Sequence, residues 1–274
     1  MRLLPRRLRK WTVLRRLTAA AFFCLLILGS LTWFPWFRGT TSATSAFDTV
    51  PFVDPLAALE AALASRQLHW TALIGAAILL AAASLLGPIF CGWVCPLGLL
   101  LDLNQSVRRR LPRLLGRQRP VGDERPLPDL RYAALAFFAC LSLAGSLPVF
   151  QLVSPINLLV RAVVFSPDLG LLAVAGIVLL EYRWPRLWCR SFCPLGAVYG
   201  LIGARGLFRV RIGQTREVTC GLCSRQCPMG IRVTEDYVAA GRSSIIHPRC
   251  NRCGECTDHC PGDVLVLGLR APRR

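Results

Sequence analysis

Four cysteines within eleven residues, Cys250-Asn-Arg-Cys253-Gly-Glu-Cys256-Thr-Asp-His-Cys260-Pro261, constrain this chain more than any other feature. Their C-x2-C-x2-C-x3-C-P spacing is the bacterial iron–sulfur run. The short steps let three thiolates meet one cube of iron and sulfide, and the fourth, before a proline, serves a second cluster. Zinc is the rival, but structural zinc sites usually join two Cys pairs across a long loop.

A second run, Cys220-Gly-Leu-Cys223-Ser-Arg-Gln-Cys227-Pro228, repeats the last three positions, with Glu217 where the first Cys would stand. In two-cluster ferredoxins the fourth Cys of each run belongs to the other cluster. Crossing the runs gives one complete set, Cys250, Cys253, Cys256 and Cys227. The other set, Cys220, Cys223 and Cys260, is one thiolate short. Its fourth iron takes Glu217, water or a distant Cys, or is missing. Two [4Fe–4S] clusters are therefore expected, the second with a [3Fe–4S] or non-Cys-ligated form as its alternative. His259 inside the first-described run is expected to tune or pack, and His247 to shape the preceding turn.

The remaining chain is apolar and strongly basic: 54% hydrophobic, mean hydropathy +0.47, net charge +18 over 274 residues. That combination suits a membrane protein with charged flanks. Thirteen Cys could make a disulfide scaffold, but the spacings are those of cluster ligands, which need a reducing compartment. No nucleic-acid motif or aromatic platform accompanies the charge, and Gly200-x2-Gly203-x2-Gly206 has no nucleotide-binding spacing.

Basic residues 1–16 precede an uncharged run from Leu17 to Phe37, long enough to cross a bilayer. Trp33, Phe34, Trp36 and Phe37 end it as an interfacial belt, which favours a retained span over a signal peptide. Further spans are expected at 68–90, 132–152 and 167–184, with an interfacial helix at 55–64. Of 33 basic residues, only Arg38, Arg66 and Arg161 fall in the loops that four spans place outside. The positive-inside rule then sets both termini in the cytoplasm. The expected fold is an α-helical membrane protein of four transmembrane helices (17–204) with a basic cytoplasmic N-terminus (1–16). A small cytoplasmic, two-cluster ferredoxin-like α+β domain (205–274) follows.

One internal echo stands out. Phe90-Cys91-x3-Cys95-Pro96-Leu97-Gly98 recurs as Trp188-Cys189-x3-Cys193-Pro194-Leu195-Gly196. Thiols four apart lie on one face of a helix, so two helix ends can gather four. An extra metal or cluster and a redox-active dithiol are both open, and simple packing of small apolar residues is the alternative.

These motifs, with Phe47-Asp48-Thr49-Val50-Pro51 and Asp54-Pro55 between the first two spans, give a chain that resembles the NapH/MauN family along nearly its whole length. The resemblance implies a quinol-oxidising inner-membrane subunit of an oxidoreductase complex. Its partners would be membrane lipid, quinol, and a periplasmic ferredoxin-type or cytochrome protein leading to a reductase of the nitrate-reductase type. Glu217 departs from the family pattern. Asp48, Asp54 and His69 are expected together on the outer side, where Asp48 and Asp54 can accept protons from quinol; Glu181 is a candidate relay at the inner end. The alternative function is a maturation factor that reduces a metal ion, copper for soft thiolates, or a disulfide.

Overall fold

A computed structural model describes residues 9–30, 37–39, 43–46, 50–114, 128–164, 169–213, 220–262 and 264–269. The first helix, α1 (Lys10–Ser30), starts before the expected span because its arginines are neutralised. Arg15 and Arg16 each lie 2.6 Å from the Asp102 carboxylate, so the helix carries two cations through its first turns. Among the described residues, α1 is the one helix long and apolar enough to cross a membrane. At about 1.5 Å per residue its length is roughly that of a hydrocarbon layer.

Three short strands follow, β1 (Phe37–Gly39), β2 (Ala43–Ala46) and β3 (Val50–Val53), paired antiparallel in that order. The sequence expected no sheet here. Asp54 then caps α2 (Pro55–Ser65), accepting the Leu56 N–H, with Pro55 at the first helical position. One face of this helix is covered within the fold: Leu56, Ala57, Ala58 and Glu60 are buried. Glu60 is fully enclosed and accepts the Ser142 hydroxyl and the Phe150 N–H, both at 2.9 Å.

The helix α3 (Trp70–Leu86) runs back along α2 and stops at Gly87, whose φ of 85° favours glycine. A π-turn over Phe90–Val94 leads to α4 (Pro96–Leu114). The expected third span breaks in two. Helix α5 (Arg131–Gly145) ends at left-handed Ser146, and Pro148 precedes the short α6 (Val149–Val153) and α7 (Pro155–Val164). Proline at 148 cannot continue a helical ladder, which explains the break. Helix α8 (Leu169–Arg183), a second π-turn at Trp188–Phe192 and α9 (Pro194–Gly203) complete this half. Its core gathers Leu56, Leu97, Leu101, Phe150, Ile156, Leu195 and Tyr199.

The tail pairs β4 (Phe208–Ile212) antiparallel with β5 (Leu265–Leu269), joining its two ends. Between them lie α10 (Leu222–Gln226), a π-turn at Thr234–Val238 and α11 (Glu255–Asp258). Val210, Met229, Ile231, Val233, Ile245, Val264 and Leu267 form its own core.

Three contacts fasten this lobe to the helices. The Arg252 guanidinium donates to Leu86 O (2.8 Å), Gly203 O (2.6 Å) and Phe208 O, so one cation satisfies the carboxyl ends of α3 and α9. Trp93 Nε1 donates to Arg252 O at 3.0 Å. At the start of α1, the Asp258 carboxylate accepts the Thr12 N–H and hydroxyl, both at 2.8 Å, and Glu255 accepts the same hydroxyl at 3.0 Å. An acid from the far end of the chain thus caps the first helix.

Candidate functional site

The two tail runs fold alike. In Cys220-Gly221-Leu-Cys223 and Cys253-Gly254-Glu-Cys256 the glycine is left-handed (φ 63° and 73°) and starts the short helix carrying the next Cys. Cys227, Cys250, Cys253 and Cys256 then line one hollow, among Val210, Ile231, Val233 and Ile245. Beside it Cys223 faces Cys260 and Cys220, and its sulfur lies 3.1 Å from the Thr234 hydroxyl. Glu217 lies outside the described residues. His259 Nδ1 meets Glu255 O at 2.9 Å and so packs within its own turn.

Burial, and then crowding by Cys253 and Cys250, push the Cys227 thiol up to about 12. Burial likewise lifts Cys250 to about 11. Such thiols ionise together only when a cation enters with them. Among the described residues no three His, Cys, Asp or Glu side chains close on a single-ion point. Four sulfurs around a hollow fit a polynuclear iron–sulfur group better than lone zinc.

The repeated pairs form a second hollow. Each motif is a π-turn sealed by a bond from the second Cys back five residues: Cys95 N to Phe90 O and Cys193 N to Trp188 O, both 2.9 Å. The expected α-helical face is therefore replaced by a wider turn. That geometry leaves Cys95 and Cys193 in matching extended conformations just before a helix whose first residue is proline. Cys193 Sγ accepts the Gly196 N–H at 3.4 Å, and Cys95 accepts from Leu97 and Gly98. Cys91, Cys95, Cys189 and Cys193 all line this hollow, with Phe90, Trp188 and Arg186. Met229 and Asn251 line both hollows, so the two sulfur sites share a wall.

Of the expected outer grouping, Asp54 and His69 are described, and they lie toward opposite ends of α3. Asp54 is buried beside the Tyr199 hydroxyl and faces Cys91 and Cys193. His69 stands at the start of α3 without a side-chain capping bond, whereas Cys91 follows that helix's other end. Asp48 lies outside the described residues. Glu181 is buried near Arg186 and Arg108.

Sequence reasoning missed Tyr199 and the buried cations. Arg186, 2% exposed, lies 3.2 Å from Asp102 and faces both Cys189 and Cys253. Burial opposes ionisation of Asp102, but Arg15, Arg186 and Arg16 hold its carboxyl below the ordinary range. Arg131, 1% exposed, grips Asp129 through two nitrogens at 2.8 and 3.0 Å. For Arg186 the available signal was an Arg three residues before Cys189 in apolar surroundings.

Comparison with known proteins settles the family. The chain is 32% identical over 276 residues to ferredoxin-type protein NapH of Escherichia coli K12, covering 96% of this chain and 91% of that one. The chain belongs to the NapH/MauN family of ferredoxin-type proteins. It is 30% identical to the methylamine utilization ferredoxin-type protein MauN of Methylorubrum extorquens, over 96% and 91% of the two chains. A putative electron transport protein, YccM of Escherichia coli K12, is 27% identical over 96% of this chain and 77% of its own. A 4Fe–4S binding domain model matches residues 68–114 and 169–213, and a 4Fe–4S dicluster domain model matches 218–265. In this NapH/MauN chain the first model therefore covers both C-x3-C-P turns and the second covers both tail runs. No solved structure matches.

Proposed function

We propose that this chain is an inner-membrane electron-transfer subunit that oxidises quinol and passes electrons singly to a redox partner outside the membrane. The observation that carries this reading is the shared wall of Met229 and Asn251 between the C-x3-C-P hollow and the hollow lined by Cys227, Cys250, Cys253 and Cys256. Those four cysteines would hold one [4Fe–4S] cluster; Cys220, Cys223 and Cys260, with Glu217, would hold the other. When bound, such clusters exchange single electrons at potentials set by hydrogen bonds and burial.

The chain's own part is to orient and deprotonate. Quinol oxidation releases two protons with its two electrons, and Asp54, buried against Tyr199 beside the thiol hollow, is positioned to take a proton there. Four spans with both ends cytoplasmic accompany this reading. It is supported by α1, whose first residues meet α11, so that the basic start and the tail lie on one side. The partner is a periplasmic ferredoxin-type or cytochrome protein serving a reductase.

Anaerobically purified protein mixed with a reduced short-chain quinol should bleach its visible cluster absorbance. Asp54→Asn should slow that step at least tenfold while dithionite reduction stays unchanged. A second reading, metal or disulfide reduction during maturation of another enzyme, is favoured by the four convergent soft thiols. It prevails if quinol leaves the clusters oxidised while added Cu(II) is reduced.

A further inference from the structure

We infer that the hollow between the two C-x3-C-P turns is an additional polynuclear iron–sulfur site, with Cys91, Cys95, Cys189 and Cys193 as its ligands. This inference rests on the reading of the chain as an iron–sulfur electron carrier and adds a site to it.

The four sulfurs come from an internal repeat that folds the same way twice and aims both pairs at one space. They form no disulfide. Cysteines from two separate turns lining one hollow suit a group that bridges several metal ions.

Charge and hydrogen bonding point the same way. Cys95 and Cys193 each stand at a helix start and accept backbone N–H groups there, an environment that favours the anionic sulfur. Arg131, Arg186 and Arg249 line the hollow, cations suited to a site built from four thiolates. Two donors at its edge, Arg186 Nε and Trp188 Nε1, are buried with no hydrogen-bond partner among the described residues. Buried donors need acceptors, and sulfides or thiolate sulfurs in this space supply them. A dithiol cycling to disulfide would supply none in its oxidised form. The shared wall with the tail hollow puts this site in series with the Cys227 site, and Arg186 faces a cysteine of each.

The test uses the full-length chain, purified anaerobically, with iron, sulfide and zero-field Mössbauer area counted per chain. Serine caps a helix as well as cysteine does, so Cys95→Ser/Cys193→Ser keeps the local fold. This double variant should lose about four irons and about four sulfides per chain relative to the parent. Cys227→Ser should lose a comparable amount with a different spectral signature. The inference is overturned if the double variant retains the parent's iron and sulfide, if the four thiols alkylate in protein of full iron content, or if copper or zinc occupies the site. It is equally overturned if the variant loses only quinol binding. An iron-free parent overturns the electron-carrier reading itself, a separate result. Should the double variant fail to accumulate, the parent decides alone: a Mössbauer area for more iron than two clusters require supports the site, and no excess refutes it.

Discussion

The Arg252 guanidinium donates to Gly203 O at 2.6 Å, so the residue between Cys250 and Cys253 also closes the end of α9. The same side chain fills the space beside Gly87. This side chain therefore helps to set how far the tail hollow lies from the C-x3-C-P turns. Arg252→Ala leaves those carbonyls without their donor and should destabilise the folded chain by about 2–4 kcal/mol. Arg252→Lys should recover part of that. Melting of the detergent-solubilised protein measures both; equal midpoints for Arg252→Ala and the parent would refute the contact.

Glu60 is the polar anchor of α2. Replacing it with Ala removes the acceptor of both the Ser142 hydroxyl and the Phe150 N–H, at a cost of about 2–3 kcal/mol. Ser142→Ala removes one of those bonds and should cost about 1 kcal/mol. The double variant should show less than the sum, because the residues share one bond. Strict additivity in denaturant titrations would contradict the pairing.

The crossed sets make a sharp prediction. Cys227→Ser should remove the electron-spin signal assigned to the Cys250, Cys253 and Cys256 site, although it belongs to the other run in sequence. Cys220→Ser should leave that signal intact. Cys24→Ser and Cys140→Ser, at exposed positions, should change neither iron content nor spectrum. Loss of the same signal from both Cys227→Ser and Cys220→Ser would defeat the assignment.

Asp129 ties the start of α5 to the tail through Arg131 and, at 3.1 Å, Arg249. Partial burial alone would raise its pKa, but the bonds and charge of Arg131 and then Arg249 outweigh that and hold it at about 2. A depressed carboxylate stabilises fully above its unfolded value near 4 and loses that contribution as pH falls through about 2. Asp129→Asn should flatten the acid limb of stability between those values and leave pH 6–8 nearly level. The group is part-exposed, so the effect should shrink in high salt. An unchanged acid limb in thermal melts from pH 5 to 3 would refute it.

What the sequence made legible was chemistry held in spacing. The gathering of Cys227 with Cys250, Cys253 and Cys256 could be written down because ligand steps of two and three residues dictate local geometry. The repeat of Cys91/Cys95 and Cys189/Cys193 was equally visible, but its π-turn was not: a turn closed over five residues leaves no period in the side chains. Burial of α2 escaped notice because Glu60 reads as solvent-facing until Ser142 is brought beside it. Arg15 was assigned to a flank for the same reason, its partner Asp102 being far along the chain. The place of Asp54 beside Tyr199 and Cys91 was not legible either, because it depends on the packing of β3 and α2 against α3, which no local spacing encodes.

The clasp between Thr12 and Asp258 has a consequence for biogenesis. Helix α1 leaves the ribosome with bare amide groups at its start, and these wait for α11, far along the chain. Its buried Arg15 meets Asp102 first and gains Glu255 only when α11 arrives. A chain cut short before α11 would thus be left with a raw first helix as well as an unfinished tail, and quality-control proteases would meet both defects at once.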